Sequence, residues 1–252
     1  MSDVSNKRIV ITGGASGIGA ASAKLLAQRG ATVVVSDVNT DAGEALVAEI
    51  NSDNSSAYFC NADVSDAEQV TALVEFAKQT MGGIDVMINN AGIDHVPAPL
   101  TDIPQSVYDR NIAVNLTGVW FCMRSVIPEM LAQGKGQIIN VASVAGLRST
   151  PLLGAYGASK HGVMGLTKAA AVEYARANIR VNAICPSFVD TPMVQNTLKL
   201  LDERARNATI KANPMKRLGK VEEIAYAIAW LSSDESSFMT GQSVVLDGGM
   251  LA

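Results

Sequence analysis

The stretch Ile11–Leu26 reads ITGGASGIGAASAKLL. It opens with a short apolar run typical of a strand and, after a glycine-rich turn, takes on the apolar spacing of a helix. Gly13, Gly17 and Gly19 give the turn the pattern T-G-x-x-x-G-x-G. Glycine serves where the backbone must approach a ligand closely, and the free N–H groups at a helix start can hold a pyrophosphate. The stretch therefore predicts a strand, a phosphate-binding loop and a helix of one βαβ unit.

The alternation of strand and helix continues along the whole chain. Short β-branched runs predict strands at Arg8–Thr12, Thr32–Ser36, Ala57–Cys60, Val86–Asn89, Gln137–Val141, Arg180–Ile184 and Ser243–Leu246. Helical patterns occupy Ile18–Gln28, Asp41–Asn51, Asp66–Thr80, Gln105–Gln133, Tyr156–Arg176 and Val221–Ser232. Continuous apolar runs such as VVV at Val33–Val35 indicate strands that are covered on both faces. The pattern predicts an α/β protein with a doubly wound, seven-stranded parallel sheet flanked by helices.

Several local signals refine these boundaries. Asp41, with Glu44 three residues later, has the pattern of a capping box, and Asp66 precedes a second helical run. Pro128 lies late in a long helical pattern and is expected to bend or end that helix. The longest irregular region is predicted between Pro186 and Gly219.

Composition narrows the class of protein. The 252 residues fit one domain, 1–252, and the net charge of -4 with scattered Lys and Arg argues against nucleic acid as a partner. The chain has no apolar stretch near the roughly 20 residues of a membrane span and no signal-peptide pattern, so we expect a cytoplasmic protein. Cys60, Cys122 and Cys185 match no metal-binding or redox spacing and are expected to be buried small hydrophobes.

In a doubly wound sheet, ligands bind outside the carboxyl ends of the strands. Asp37 lies at the end of the second strand, 18 residues after Gly19, where a carboxylate can accept both ribose hydroxyls of an adenosine and repel a 2′-phosphate. The glycine loop and the residues just after Asp37 contain no Arg or Lys, which favours NAD over NADP. The setting DVNTD also permits a simple turn residue at Asp37.

Two further strand ends carry candidates. Asp63 and Val64 follow the third strand, where they can edge an adenine ring. Asn90 and Gly92 follow the fourth strand, and Asn89 there either braces the strands or contacts the cofactor.

The candidate chemistry centres on Tyr156 and Lys160, which share a helix face because they are four residues apart. A nearby ammonium lowers the pKa of a phenol, and a phenol tuned in this way can exchange a proton with an alcohol oxygen. Ser143, just past the fifth strand, can hold the substrate oxygen beside the phenol. Asn115 is unusual in mid-helix, and either a bend whose freed carbonyl holds a water near Lys160 or simple exposure would account for it. His161 is rotated away from Lys160 and is interpreted as a bystander.

Taken together, these motifs resemble the classical short-chain dehydrogenase/reductase family over nearly the whole chain. The resemblance rests on TGGASGIG, Asp37, Asp63–Val64, NNAG, Asn115, Ser143, YGASK, PSFVDT and the terminal DGG. It implies a Rossmann fold, with Tyr156 as general acid/base, Ser143 orienting substrate, Lys160 lowering the Tyr156 pKa and holding the nicotinamide ribose, and Asn115 supporting a proton-relay water. It implies that Pro186, Val189 and Thr191 flank the nicotinamide. Where the family usually has Pro-Gly, this chain has Pro186–Ser187, so the loop is expected to lie differently.

The residues predicted to bind the cofactor share positions at the strand ends. They are Gly13, Ser16, Gly17, Ile18, Gly19, Asp37, Asp63, Val64, Asn90, Gly92, Tyr156, Lys160, Pro186, Val189 and Thr191, and the predicted catalytic residues are Asn115, Ser143, Tyr156 and Lys160. No metal site is predicted.

Residues 190–217 are interpreted as a substrate-binding lid. Its apolar residues, with the segment RSTPLLGAY at Arg148–Tyr156, predict a small, mainly apolar secondary alcohol or ketone, either open-chain or cyclic. Whether Arg148 contacts an acidic group of the substrate is left as an alternative. His95 lies in a loop and is either exposed or in contact with the substrate. The resemblance implies a homotetramer built on the two long helices and the C-terminal segment. The alternatives are an NADPH-dependent 3-oxoacyl-thioester reductase and a non-catalytic dinucleotide sensor.

Overall fold

The computed structural model describes residues 2–53 and 55–252, which form a seven-stranded parallel sheet in the order β3-β2-β1-β4-β5-β6-β7. The strands are β1 Arg8–Thr12, β2 Thr32–Asp37, β3 Ser56–Asn61, β4 Val86–Asn89, β5 Gly136–Val141, β6 Ile179–Pro186 and β7 Ser243–Leu246. Strand order reverses between β1 and β4, so the first loop opens at the crevice where such sheets bind ligands. The predicted Rossmann fold and parallel sheet are confirmed.

Helices cover both faces of the sheet. They are α1 Gly17–Gln28, α2 Thr40–Ser52, α3 Ala67–Met81, α4 Gln105–Ile112, α5 Gly118–Gln133, α6 Gly154–Tyr174, α7 Pro192–Lys199, α8 Glu203–Ile210 and α9 Val221–Ser232. Side chains of one strand alternate between two apolar cores. In β1, for example, Ile9 and Ile11 pack with α1 and α9, whereas Val10 packs with α3 and α5. Burial on both faces explains why the sequence of these strands is continuously apolar.

Of three expectations about helix boundaries, two need correction and one is confirmed. Asp41 does not cap α2, because Asn39 occupies that position and its side chain accepts a hydrogen bond from Ala42 N. Pro128 does not end α5, which continues to Gln133. Asp66 does cap α3, as predicted, by accepting hydrogen bonds from the backbone N–H groups of two first-turn residues.

The pattern Gln105–Gln133 is not one regular helix, because α4 and α5 are joined by a π-helical turn at Ala113–Thr117. The predicted irregular region from Pro186 to Gly219 contains α7 and α8. Cys122 and Cys185 are buried as predicted, but Cys60 is only partly buried. Within residues 2–53 and 55–252, no helix is long and apolar enough to cross a membrane.

Candidate active site

A cavity of about 330 Å³ runs along the carboxyl ends of the strands, from the glycine loop to Tyr156. With two exceptions, every residue predicted to bind the cofactor or to act in catalysis lines this cavity. The exceptions are Gly19 and Asn115, which lie behind the lining. The strand ends thus bring together residues that are widely separated in sequence.

The glycine loop is shaped by close approaches that a side chain would block. Gly13 has a φ of +60°, and a Cβ there would lie 2.7 Å from the Cα of Ala91. Gly19 packs against the Gly13 carbonyl so closely that a Cβ would overlap it. Asn90 holds the loop from the other side, because its Nδ2 donates to the carbonyls of Thr12 at 3.0 Å and Gly13 at 2.8 Å. The loop therefore offers the close backbone surface, opening into a helix N-terminus, that a pyrophosphate requires.

Asp37 is the last residue of β2 and lines the cavity. Its two carboxylate oxygens accept hydrogen bonds from Ala15 N and Asn39 N, each at 3.0 Å. The side chain thus ties the glycine loop to the start of α2 and also borders the cavity. Asp37 is therefore both a turn residue and a lining residue.

Arg110 is a lining residue that the sequence interpretation missed. Its guanidinium donates to Ser65 Oγ at 3.0 Å and to Asp63 Oδ2 at 3.3 Å, while Ser65 Oγ donates to Asp63 Oδ1 at 2.6 Å. These partners hold the pKa of Asp63 below its usual value although burial opposes them. In the sequence, Arg110 cannot be told from an ordinary solvent-facing arginine on a helix. Its position five residues before Asn115 is the one signal that could have identified it.

Tyr156, Lys160 and Ser143 meet at the other end of the cavity. The Lys160 ammonium lies 5.6 Å from the centre of the Tyr156 ring and donates a hydrogen bond to the Val141 carbonyl at 2.9 Å. Ser143, in the loop after β5, interacts with the phenol and favours its ionised form. All three belong to one strand-to-helix unit: Ser143 lies in the connection from β5 to α6, and Tyr156 and Lys160 lie in the first two turns of α6. One substrate oxygen can therefore reach both hydroxyls.

The ionisation of the pair differs from the expectation. Burial raises the pKa of Tyr156 to about 12, and the interaction with Ser143 offsets only part of that increase. Burial lowers the pKa of Lys160 to about 8. In the protein alone burial sets the direction of both shifts, because removing the two groups from water favours their neutral forms. The lowering of the Tyr156 pKa by Lys160 stays a prediction.

Asn115 explains the irregular turn between α4 and α5. Its side chain accepts from Ile93 N at 2.8 Å and donates to Ile93 O at 2.8 Å and to Ser159 Oγ at 3.1 Å. Asn115 is fully buried, so the exposed alternative is wrong. It fixes the loop after β4 to the π-helical turn and to α6. We call these hydrogen bonds of Asn115 the Asn115 clamp. A Cβ on Gly92 would lie 3.4 Å from Lys160 Nζ, so the clamp lies next to the reaction end of the cavity.

The remaining polar candidates lie elsewhere. Asn89 donates to Asn140 Oδ1 at 2.8 Å inside the core and therefore braces β4 against β5. His161 is exposed and its ring lies against the Gly157 carbonyl, while Arg148 is exposed beside the Ser149 carbonyl. His95 is buried rather than exposed, with Nδ1 against the Val96 carbonyl.

The segment 190–217 borders the cavity through the start of α7. Thr191 caps α7, and its Cγ2 would lie 3.3 Å from a Cβ on Gly17, so α7 begins directly over the glycine loop. Met193 and Val194 of α7 and Ser187 line the cavity. Ser187 does not adopt a positive φ, so serine is accommodated where glycine is usual.

This fold and these strand ends define a nicotinamide-dinucleotide oxidoreductase of the Rossmann class. Residues 13–251 match the family described as enoyl-(acyl carrier protein) reductase. Several relatives align over nearly their full length. The chain is 42% identical to 2,5-dichloro-2,5-cyclohexadiene-1,4-diol dehydrogenase of Sphingobium indicum, with 100% of both chains covered. It is 42% identical to cyclohexanol dehydrogenase of an Acinetobacter species, covering 96% of this chain and 94% of that one.

Two further comparisons agree. The chain is 43% identical to the 3-oxoacyl-(acyl-carrier-protein) reductase of Thermotoga maritima, covering 97% of this chain and 98% of that one. The crystal structure of levodione reductase superposes with a TM-score of 0.94 at 39% identity, covering 97% of each chain. The chain belongs to the short-chain dehydrogenase/reductase family and is an oxidoreductase.

Proposed function

We propose that the protein is an NAD(H)-dependent dehydrogenase that interconverts a small, mainly apolar, cyclic secondary alcohol and its ketone. The observation that carries this proposal is the meeting of Ser143, Tyr156 and Lys160 at one end of a cavity whose other end is a glycine loop. Dehydrogenases of chlorinated cyclohexadienediol and of cyclohexanol among the relatives support a cyclic substrate.

The choice of NAD rests on Asp37. Its carboxylate borders the cavity where the second strand ends, and a 2′-phosphate beside it would be repelled. The basic residues of the cavity lining are Lys160, at the reaction end, and Arg110, whose charge Asp63 already partners. The glycine loop, Asp37, Asp63 and Val64 would hold the adenosine and pyrophosphate, and Lys160, Pro186, Val189 and Thr191 the nicotinamide half.

In the reaction, a bound nicotinamide dinucleotide supplies the hydride acceptor or donor. Ser143 and Tyr156 hydrogen-bond the reacting oxygen and orient its carbon. Tyr156 is a phenol at neutral pH, since burial raises its pKa to about 12, and it can donate its proton to the oxygen of a ketone. In alcohol oxidation it must first lose that proton, and the Lys160 ammonium favours the resulting phenolate. Asn115 holds the adjoining loop, and its role in a proton relay is part of the proposal.

The residues around the reaction end favour an apolar ring. Ile93, Met193 and Val194 contribute apolar side chains to the cavity lining, whereas the exposed Arg148 does not line the cavity. Residues 190–217 act as the lid of a single domain, 1–252, that excludes water from this end. We further propose a homotetramer in the cytoplasm, with no nucleic-acid or membrane partner.

The second candidate is an NADPH-dependent 3-oxoacyl-thioester reductase, which the identity to the Thermotoga maritima enzyme favours. A catalytically idle dinucleotide sensor would not need Ser143, Tyr156 and Lys160 together. The thioester reductase would reduce an acetoacetyl thioester with NADPH. Our proposal predicts a low rate for that reaction.

The test is a panel of secondary alcohols with NAD and with NADP, followed as absorbance at 340 nm. The panel contains aliphatic, aryl, cyclic and steroidal alcohols, with cyclohexanol as the reference ring. We expect NAD reduction with the cyclic members and a weaker rate with NADP. No reduction by any member of the panel would contradict the proposal.

A further inference from the structure

Asp94 is a charged residue beside the reaction end of the cavity that the proposed chemistry does not use. It directly follows Ile93, which lines the cavity. Both backbone hydrogen-bonding groups of Ile93 are held by the buried Asn115, each at 2.8 Å. This anchor fixes the position of Asp94 on its loop.

The Asp94 carboxylate lies at the seam between this loop and the lid. Its Oδ2 accepts a hydrogen bond from Thr197 Oγ1 at 2.9 Å. Thr197 is four residues after Met193 and three after Val194, both of which line the cavity. Residues at these spacings share one helix face, so Asp94 meets α7 on its cavity side.

The charge of Asp94 acts at the reaction end. It contributes to raising the pKa of Tyr156, so the carboxylate lies within electrostatic reach of the phenol. Partial burial raises the pKa of Asp94 itself, and the Thr197 hydrogen bond only partly offsets this. Among the residues that the structure describes, Asp94 takes part in no ion pair with Lys or Arg. A carboxylate offers about four acceptor positions, so Asp94 retains the capacity to bind another donor.

We propose that Asp94 is a substrate-recognition residue: its carboxylate accepts a hydrogen bond from a second hydroxyl group on a neutral ring whose reacting carbon lies at Tyr156, and it disfavours anionic substrates. The inference rests on the proposed function. Ile93, Met193 and Val194 of the cavity lining are apolar, and Asp94 lies directly beside this lining. A ring without the second hydroxyl leaves the acceptor positions of Asp94 that Thr197 does not use without a substrate donor, so the two kinds of ring are discriminated.

The test compares kcat/KM for three neutral or charged ring alcohols with NAD: cyclohexanol, the isomeric cyclohexanediols and 4-hydroxycyclohexanecarboxylate. In Asp94→Ala, the ratio of the best diol to cyclohexanol is expected to fall by about 10- to 100-fold, the usual effect of losing a hydrogen bond to a charged group. In Asp94→Ala and Asp94→Asn, the ratio of the carboxylate to cyclohexanol is expected to rise by about tenfold, since like-charge repulsion is removed.

Thr197→Val is the matched control, because it removes the lid contact of Asp94 and keeps the carboxylate. We expect both ratios to stay within about threefold of the wild type in this variant. Unchanged ratios in Asp94→Ala, or equal changes in Thr197→Val, would overturn the inference.

The outcomes also separate the inference from the proposed function. If the wild type oxidises cyclohexanol and the two kcat/KM ratios are unchanged in the Asp94 variants, the proposed function stands and the recognition role of Asp94 alone is overturned. A wild type inactive on every ring alcohol removes the proposed function, and the inference falls with it. Asp94→Asn keeps the side-chain shape, so a gain for the anionic ring cannot result from damage to the fold.

Discussion

Burial governs the ionisation of Tyr156 and Lys160. The two residues are four positions apart on α6, and loss of water shifts the pKa of each towards its neutral form, to about 12 for Tyr156 and to about 8 for Lys160. The residue types and spacing were readable from the sequence, and so was Ser143. The direction of the Tyr156 pKa was not, because it depends on how deeply the cavity encloses the phenol.

Lys160→Met should reveal this burial in a stability measurement. The pKa of Lys160 is lowered from 10.5 to about 8. Below pH 8 the ammonium is present in both the folded and unfolded states, so its burial destabilises the protein in full, by up to about 3 kcal/mol. The penalty fades between pH 8 and 10.5 and is absent above that range. Methionine removes the charge and also the hydrogen bond to the Val141 carbonyl, a loss that applies at both pH values. We therefore expect the stability of Lys160→Met relative to the wild type to be higher at pH 7 than near pH 10.5, by up to about 3 kcal/mol.

Urea unfolding at both pH values measures this difference. Lys168→Met, on an exposed position of the same helix, is the control and should show no pH-dependent gain. A stability difference between Lys160→Met and the wild type that is the same at both pH values would show that burial does not lower the Lys160 pKa.

Asp37→Ala tests the cofactor preference at a single residue. Without the carboxylate, the ribose hydroxyls lose a charged acceptor and a 2′-phosphate is no longer repelled. We expect the ratio of kcat/KM with NAD to that with NADP to fall by about tenfold or more. Asp41→Ala, an exposed acid in the adjacent helix, should leave the ratio unchanged; an unchanged ratio in Asp37→Ala would remove Asp37 from the ribose site.

At the scale of elements, the strands followed closely from the sequence, since β-branched runs buried on both faces leave little choice. The lid did not. The signals for α7 and α8 were present in Thr191–Pro192 and Asp202, which cap them, but their apolar residues are too few to reveal a helix by period alone. Nor could the π-helical turn at Ala113–Thr117 be predicted, because its cause is the contact of Asn115 with a loop distant in sequence.

Asn115→Ala should show how much this contact stabilises the fold. Truncation leaves the partly buried N–H and C=O of Ile93 without their partners, which we expect to lower the free energy of unfolding by about 2–4 kcal/mol. Asn207→Ala, at an exposed helical position, should change it by less than about 0.5 kcal/mol. Equal effects of the two variants in urea unfolding would mean that the clamp contributes nothing.

At the scale of the whole molecule, large apolar side chains are exposed on the long helices and near the C-terminus. Phe238 is fully exposed and Val172 of α6 is 82% exposed, and Trp120 of α5 and Val245 of β7 are also exposed. We propose that subunit contacts of the homotetramer cover these side chains.

Phe238→Glu tests the assembly through its mass. A charge in a packed subunit contact costs several kcal/mol, so we expect the wild type to have about four times the 26.4 kDa chain mass in light scattering and the variant to be smaller. Leu200→Glu, an exposed site on the lid, is the control and should keep the wild-type mass. A monomeric wild type would contradict the proposal.

The central claim is that Tyr156 transfers the proton at the reacting oxygen. The most direct measurement is the turnover of Tyr156→Phe on a cyclic alcohol with NAD, together with its NADH binding by fluorescence. The ring remains and only the hydroxyl is lost, so we predict unchanged NADH binding and a fall in kcat of more than about 100-fold. Turnover above about a hundredth of the wild-type value would contradict the role of Tyr156 as acid and base.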